Sequence, residues 1–266
     1  MFSAQTVIRD LENIRARAPL IHNITNFVVM NLTANALLSI GASPVMAHAE
    51  EEVEDMVSLA SAVVINIGTL SRHWVEAMKK AVRAAQENNI PVILDPVGAG
   101  ATSYRTATAR RLLEIGPVAI IRGNGSEIRA LVDSGARTKG VDSLETPEAA
   151  VEAGRLLSEK YGCAVSISGP EDIIVRGEET IRLGNGHPMM PRVTGLGCTA
   201  SALTGAFAAV NPKYLEAAAG AMAVMGICGE LAAEQARGPA SFELHFLDWL
   251  HLIGTREIAD RLKITT

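Results

Sequence analysis

The sequence contains few aromatic residues and few cysteines, and both shortages exclude classes of function. Aromatic side chains make up 4% of the 266 residues, too few for the stacking platforms on which proteins bind single-stranded nucleic acid. The three cysteines, Cys163, Cys198 and Cys228, are odd in number and widely spaced, which predicts neither a disulfide framework nor a CxxC metal site. The Walker pattern GxxxxGK[ST] is missing too, which excludes a P-loop nucleotide site.

The chain also lacks an excess of positive charge and a long apolar run. Its formal net charge of −5 argues against a nucleic-acid partner. No uninterrupted apolar stretch approaches the roughly 20 residues of a membrane span, and residues 1–17 mix acids and bases at helical spacing, unlike a signal or transit peptide. We therefore expect a cytoplasmic protein with no membrane partner. With 48% hydrophobic residues, residues 1–266 are predicted to form one compact domain.

Short apolar segments alternate with segments of helical periodicity through most of the chain. This alternation predicts βαβ units, and hence an α/β fold with a mostly parallel sheet covered by helices on both faces. Strands are expected at 62–67, 91–94, 118–121 and 164–168, and a hairpin at 173–182. Helices are expected at 4–18, 28–40, 71–88, 103–115, 147–161, 198–210, 213–236 and 241–261. Residues 20–26 form a short polar stretch to which no strand is assigned.

Polar side chains follow three of the predicted strands, where ligands bind in open α/β sheets. Asp95 ends one strand, Arg122, Asn124 and Glu127 follow the next, and Ser168 ends a third. A guanidinium pairs well with phosphate, and carboxylate oxygens are ligands that Mg²⁺ prefers. A helix cap or a surface ion pair explains each residue equally well when it is taken alone. Their shared placement favours a nucleotide and metal site.

The segment Gly195-Leu196-Gly197-Cys198 precedes a predicted helix. Glycine permits positive φ and close approach of a ligand, and the free N–H groups and dipole of the helix favour an anion. Cys198 falls in the first turn, where the pKa of a thiol tends to be lowered. The segment therefore predicts a phosphoryl-binding turn with a candidate base beside it. A plain helix entry and a buried structural cysteine are the alternative interpretation.

Two further sites for a small ligand are suggested near the N-terminus. Asn26, Asn31 and Asn35 recur at near-helical intervals, either as local turn and cap residues or as a cluster that orients a ligand. Met46 is a flexible apolar side chain that either fills the core or forms a pocket wall.

Four stretches of the sequence together resemble one known family. They are Asp95-Pro96-Val97-Gly98-Ala99, Arg122-Gly123-Asn124-x-x-Glu127, Thr194-Gly195-x-Gly197-Cys198 and His22-Asn23-Ile24-Thr25-Asn26. They resemble the hydroxyethylthiazole kinases of thiamine biosynthesis, in the ribokinase-like superfamily, and the resemblance covers about residues 19–210. It implies a ribokinase-like fold and phosphorylation of the hydroxyl of 4-methyl-5-(2-hydroxyethyl)thiazole by ATP with Mg²⁺. It also implies a homotrimer with active sites between subunits.

The same resemblance implies a role for each matching position. The residues concerned are, for ATP, Arg122, Asn124 and Ser168; for the thiazole, Asn26, Met46 and Gly195; for Mg²⁺, Asp95 and Glu127; and for phosphoryl transfer, Gly195, Gly197 and Cys198.

Three positions bear on how far the resemblance extends. Many ribokinase-like enzymes carry an aspartate general base where Cys198 stands, whereas the thiazole kinases carry cysteine. Ser168 keeps the hydroxyl of the threonine that the family often has there, and Leu196 replaces a small residue, so we expect it to alter the pocket wall. Phosphoryl transfer relies mainly on positioning and electrostatics. Our hypothesis is that the backbone amides of residues 195–198 stabilise the phosphoryl group while Cys198 positions the hydroxyl and is at most a modest base.

Three alternatives remain open from the sequence. They are a kinase of hydroxymethylpyrimidine or another small alcohol, an ATP-dependent dehydratase that repairs hydrated nicotinamide cofactors, and a nucleotide-binding regulator without turnover. Cys198 and the polar stretch at 22–26 favour the thiazole, and Cys198 argues against the dehydratase. Asp95, Asn124 and Glu127 argue for a working metal site.

Overall fold

The computed structural model describes residues 2–132 and 146–265. Its strands are β1 (Leu20–Ile24), β2 (Ser43–Val45), β3 (Ala62–Asn66), β4 (Val92–Asp95), β5 (Ile120–Asn124), β6 (Ala164–Ser168), β7 (Asp172–Arg176), β8 (Glu179–Leu183) and β9 (Ile264–Thr265). They form one sheet in the order β2-β1-β3-β4-β5-β6-β7-β8-β9. Neighbours are parallel from β2 to β6 and antiparallel from β6 to β9. The predicted α/β fold with a mostly parallel sheet is confirmed.

Helices cover both faces of this sheet. They are α1 (Ala4–Arg17), α2 (Met30–Ile40), α3 (Val53–Leu59), α4 (Arg72–Glu87), α5 (Ser103–Ile115), α6 (Gly125–Leu131), α7 (Pro147–Tyr161), α8 (Leu196–Ala208), α9 (Tyr214–Gln235), α10 (Pro239–Leu252) and α11 (Thr255–Arg261). Helices α3 to α7 pack in the hydrophobic cluster on one face, and α1, α2 and α8 to α11 pack in the cluster on the other.

Strand β3 shows why the strands read as continuous apolar runs. Val63 and Ile65 lie in one hydrophobic cluster, and Ala62 and Val64 lie in the other. Side chains alternate between the faces of a strand, and both faces here are covered by helices. All five residues of β3 are therefore buried, including the terminal Asn66.

Helix α9 is long and apolar enough to cross a membrane by length and composition. However, 89% of its most apolar 18-residue window is buried inside the protein. Its small residues let it pack closely: a Cβ added at Gly226 would lie 2.6 Å from Cβ of Asn185. It is a central helix of the core that covers the sheet.

One strand was left unassigned from the sequence, and one predicted helix is wrong. The polar stretch at 20–26 contains strand β1, which lies between β2 and β3 and in which His22 and Asn23 are both buried; the His22 ring pairs with the carbonyl of Ala47 at 2.7 Å, and the Asn23 amide donates to Ile21 O. The single helix expected at 241–261 is broken at Ile253 and Gly254, because Ile253 leaves helical geometry with ψ 133° and is fully buried in the core.

Candidate active site

The carboxyl ends of the parallel strands bring the predicted polar residues to one edge of the sheet. Asn66 and Asp95 are direct neighbours across β3 and β4, and Asn124 and Ser168 are neighbours across β5 and β6. Asn26 lies two residues beyond the end of β1. This edge faces the start of α8, which carries Cys198.

Asp95 is buried, with 1% of its surface exposed. The amide of Asn66 and the hydroxyl of Ser201 both donate to Oδ2, each at 2.7 Å, and no hydrogen bond reaches Oδ1 from residues 2–132 or 146–265. Burial raises the pKa of Asp95 to about 7, opposed mainly by the positive charge of Arg122 and the hydrogen bond from Ser201. One carboxylate oxygen of a buried acid is thus left for a ligand.

Glu127 links two turns. One follows β4, which ends at Asp95, and the other follows Arg122 at the end of β5. Glu127 forms a capping box with Asn124, in which the Asn124 side chain accepts from the N–H of Glu127 at 3.0 Å and Glu127 Oε2 accepts from the N–H of Asn124 at 2.8 Å. Its Oε1 accepts from the N–H of Gly98 at 2.9 Å. The helix cap that the sequence left open as an alternative is therefore present, and each oxygen keeps a lone pair for a further partner.

The glycine turn is tightly confined at both glycines. Gly195 has φ +89°, and a Cβ added there would lie 2.8 Å from Cγ1 of Val29, so a larger residue is excluded by conformation and by space. Arg122 donates from Nη1 to the carbonyl of Gly197 at 2.9 Å. Helix α8 begins at Leu196, two residues before the predicted start, and its first intrahelical bond is from the N–H of Thr199 to Gly195 O.

Arg122 lies between this turn and the acidic residues. It is 7% exposed, and its Nε has no hydrogen-bond partner in the described part of the chain. Its charge acts on Asp95, Cys198 and Asp172. A guanidinium beside the N-terminus of a helix is suited to binding a phosphate oxygen.

The expectation of a lowered thiol pKa is wrong for Cys198. Burial and the nearby charge of Asp95 raise the pKa of Cys198 above its usual value, and hydrogen bonds from Asn66 and Asn26 oppose them only in part. The amide of Asn26 donates to its sulfur at 3.3 Å. The desolvation of the thiol exceeds the effect of the helix N-terminus, so the thiol is protonated at neutral pH.

Leu196 does not form a pocket wall as expected. It is 4% exposed and packs in the hydrophobic core. The family often has a small residue where this chain has Leu196. Because the Leu196 side chain points into the core, this difference changes the packing beneath the turn and leaves the backbone amides of the turn in place.

Trp74 links the two segments that carry Asn26 and Met46, two of the predicted thiazole-side residues. The rings of Phe27 and His48 both contact the Trp74 ring, with centroids 4.7 and 4.5 Å apart, so the segment with Asn26 lies beside the segment with Met46. Asn31 and Asn35 do not join this group; the amide of Asn35 donates to Asn31 at 3.1 Å on the exposed face of α2. Ser168 is partly exposed, and its hydroxyl donates to Gly123 O at 3.4 Å.

The sequence reasoning did not single out three residues that shape the site. Asn66 and Ser201 hold Asp95, and Arg105 of α5 donates to the carbonyls of Gly68 and Val97 at 2.8 and 2.7 Å. Asn66 carries the same signal as Asp95, a polar residue that ends a strand. It was missed because the strand was expected to continue to residue 67.

Comparisons with known proteins agree with this geometry. Residues 11–256 match the model of the Hydroxyethylthiazole kinase family. A hydroxyethylthiazole kinase of Syntrophus aciditrophicus (strain SB) is 61% identical over 252 residues, which cover 94% of this chain and 93% of the relative. The chain belongs to the hydroxyethylthiazole kinase family.

Solved structures support both the family and the fold. The hydroxyethylthiazole kinase structure from Pyrococcus horikoshii OT3 is 45% identical, with a TM-score of 0.91 and 98% of each chain covered. A ribokinase-like superfamily protein from Enterococcus faecalis V583 is only 14% identical but has a TM-score of 0.66 over 95% of each chain, which shows the ribokinase-like fold. As a member of this family, the chain is a kinase that phosphorylates the thiazole alcohol of thiamine biosynthesis. Of the functions that the sequence motifs left open, the comparisons therefore favour the thiazole kinase.

Proposed function

We propose that the edge formed by β1, β3, β4 and β5 and the start of α8 is where ATP and the thiazole alcohol meet. The observation that carries this proposal is the convergence of Asp95, Arg122 and Cys198. The Arg122 guanidinium donates to Gly197, next to Cys198, and its charge acts on Asp95. A cation, an acid and a helix N-terminus then surround one point, as transfer of a phosphoryl group requires.

The metal proposed for this site is Mg²⁺, held by Asp95 and Glu127. The donor set fits: Asp95 has an oxygen without a protein hydrogen bond in the described chain, and each Glu127 oxygen accepts a single backbone N–H. Mg²⁺ commonly takes one or two protein carboxylates and completes its shell with water and phosphate oxygens. When bound, it supplies positive charge to the phosphate groups.

The phosphates of ATP are proposed to lie against Arg122 and the first amides of α8, with Asn124 and Ser168 at the same edge. The amides of Leu196, Gly197 and Cys198 precede the first intrahelical bond, so they can donate to a phosphoryl oxygen. The Arg122 guanidinium, whose Nη1 donates to Gly197 O, adds positive charge to the same place. These groups stabilise negative charge on the transferred phosphoryl group.

The thiazole alcohol is proposed to lie on the side of Asn26, Met46 and Gly195. Asn26 already contacts Cys198, so a hydroxyl held by these two residues would lie next to the glycine turn. Because the raised pKa keeps the thiol of Cys198 protonated, it cannot accept the proton of the alcohol, but it remains a usable hydrogen-bonding group. Cys198 therefore orients the hydroxyl, and the charged groups around the turn carry most of the catalysis.

The active form is proposed to be a cytoplasmic homotrimer of a single-domain chain, residues 1–266, with the active sites between subunits. The exposed apolar residues Phe27 and Val28, each 65% exposed, directly follow Asn26 and support this arrangement, because a neighbouring subunit would cover them and close the thiazole side. Light scattering tests the assembly: a mass near three chains is expected, and a monomer at assay concentration would contradict it.

The assignment of the two substrate sides is tested by steady-state kinetics on paired variants. We expect Arg122→Lys to raise KM for ATP with little change in KM for the thiazole, since lysine cannot pair with phosphate in the same fork geometry. We expect Asn26→Ala to raise KM for the thiazole and leave KM for ATP nearly unchanged. The opposite split, or equal effects on both KM values, would refute the assignment.

A further inference from the structure

Asn66 is buried at the end of β3, and both ends of its amide are used. Its Nδ2 donates to Oδ2 of Asp95 at 2.7 Å. Its Oδ1 accepts from the amide of Asn26 and from the N–H of Gly68, both at 2.9 Å. The residue is 1% exposed, so these bonds are shielded from water and hold the amide in one orientation.

Through Asn26 the same network reaches the reacting end of the site. The amide of Asn26 that donates to Asn66 also donates to the sulfur of Cys198 at 3.3 Å. On the other side, Asp95 accepts from Ser201, on the first turns of α8. A continuous chain of hydrogen bonds therefore joins Cys198, Asn26, Asn66, Asp95 and Ser201. Both of its ends, Cys198 and Ser201, lie on α8.

We propose that Asn66 is a positioning residue that fixes Asp95 relative to the alcohol-binding side of the active site. By holding Oδ2 together with Ser201, it leaves Oδ1 of Asp95 free for the metal. By accepting from Asn26, it sets the amide that contacts Cys198. This inference rests on the proposed role of Asp95 in holding Mg²⁺.

Only a side-chain amide performs both tasks at this position. An aspartate at residue 66 accepts from Asn26 and Gly68 but has no donor for Asp95, and it places a second carboxylate against the first. The backbone of Gly68 also packs closely against the side chain of Asn26, because a Cβ added at Gly68 would lie 2.6 Å from Nδ2 of Asn26. The surrounding backbone therefore holds Asn26 against Asn66, and Arg105 anchors the carbonyl of Gly68 from outside.

The test is Mn²⁺ binding, followed by electron paramagnetic resonance of the free ion, in the presence of β,γ-methylene ATP. The variants are Asn66→Asp, which keeps the acceptor for Asn26 and Gly68 but replaces the donor to Asp95 with a second carboxylate oxygen, and Asn66→Ala, which removes the whole amide. Residues that orient metal ligands typically change metal affinity ~10- to 100-fold when they are replaced, and we expect a loss of this size in both variants. The affinity for the thiazole alcohol should fall in Asn66→Ala and less in Asn66→Asp.

Asn211→Ala is the matched control. Asn211 is a buried asparagine that donates to a buried aspartate, Asp10, at 2.7 Å, and it lies beyond the C-terminal end of α8, whereas Cys198 lies at the N-terminal end of that helix. This variant is expected to unfold at a lower temperature and to bind Mn²⁺ as the wild type does. Cooperative unfolding shows that an Asn66 variant is folded. If a folded Asn66 variant binds Mn²⁺ with the affinity of the wild type, the inference is overturned. Absence of nucleotide-dependent Mn²⁺ binding in the wild type would instead overturn the metal role of Asp95 itself.

Discussion

Two buried aspartates in this protein have the same kind of partner and different surroundings. Asp10 is fully buried; its Oδ1 accepts from Arg9 at 2.7 Å and its Oδ2 from Asn211 at 2.7 Å. Asp95 also accepts from an asparagine, but both of its hydrogen bonds end on Oδ2. Both oxygens of the first carboxylate are hydrogen-bonded within the protein, and this residue joins α1 to the turn before α9. The second keeps one oxygen for a ligand.

The two aspartates differ in how completely the protein pairs their oxygens. A buried acid whose oxygens are all paired has its desolvation offset within the fold. Asp95 is less well compensated, and burial raises its pKa to about 7, which is the kind of perturbation that is concentrated at functional sites. The two aspartates should therefore respond in opposite ways to the same substitution.

The largest expected effect is that of Asp95→Asn on catalysis. Replacing the carboxylate with an amide should lower kcat by about 10³-fold or more, because the proposed Mg²⁺ site loses a carboxylate oxygen. The fold should be retained, since an ionised acid with a raised pKa destabilises the empty protein near neutral pH. Comparison of kcat with the thermal unfolding temperature checks this. A variant with near wild-type kcat would place the metal elsewhere.

Asp10→Asn should affect stability and leave chemistry alone. We expect a loss of about 1–3 kcal/mol in the free energy of unfolding, because bonds to a charged acceptor at a buried site are weakened. Urea unfolding measures the loss, and kcat per folded molecule serves as the internal control. A fall in kcat comparable to that of Asp95→Asn would remove the distinction between the two carboxylates.

Asp172 offers an intermediate case and a test by pH. Burial raises its pKa to about 6, opposed by the hydrogen bond from Gly169 N–H and the charge of Arg122. The folded state therefore binds more protons than the unfolded state between the ordinary pKa and about 6, so stability attributable to this group falls as pH rises through that window. Asp172→Asn keeps an acceptor for Gly169 and should stabilise the protein by about 1–3 kcal/mol above the window.

The measurement is urea unfolding across the acid range, with Asp172→Ala as the companion variant that also loses the acceptor. The asparagine variant should show a flatter dependence of stability on pH than the wild type. A wild-type slope in the asparagine variant would mean that Asp172 does not titrate in this range.

The smallest effect is expected for Cys198→Ala. A protonated thiol that orients the alcohol contributes one weak hydrogen bond, so kcat should fall about tenfold, well short of the Asp95 variant. The rate at saturating substrate, measured beside Asp95→Asn, gives the ranking. Equal losses would make the thiol as important as the metal carboxylate.

Much of this fold was predictable because apolar runs and helical periodicity survive in the sequence. The strands around Asp95 and Arg122 were found because their cores are apolar on both faces. Strand β1 was missed because His22 and Asn23 interrupt its apolar pattern, and the carbonyl of Ala47 that pairs the buried His22 ring comes from a distant segment of the chain. Secondary-structure patterns describe single segments and cannot show such partners.

The position of the candidate site in the fold was predictable from the sequence, and the direction of the pKa shift of its thiol was not. Asp95, Arg122 and Cys198 were recognised from strand ends and a glycine turn, and the structure brings them to one edge. The direction of the Cys198 pKa shift was wrong because it depends on how deeply the thiol is buried and on its distance from Asp95. Asn66 and Ser201 act through a third residue, which no local pattern in the sequence records.

The most direct test is a coupled assay of ADP release with Mg-ATP, run with and without 4-methyl-5-(2-hydroxyethyl)thiazole, on the wild type, Asp95→Asn and Asp10→Asn. Hydroxymethylpyrimidine serves as the control alcohol. The account predicts release that requires the thiazole and Mg²⁺, is retained in Asp10→Asn and is lost in Asp95→Asn. Release that ignores the thiazole, or that survives in Asp95→Asn at the wild-type rate, would contradict it.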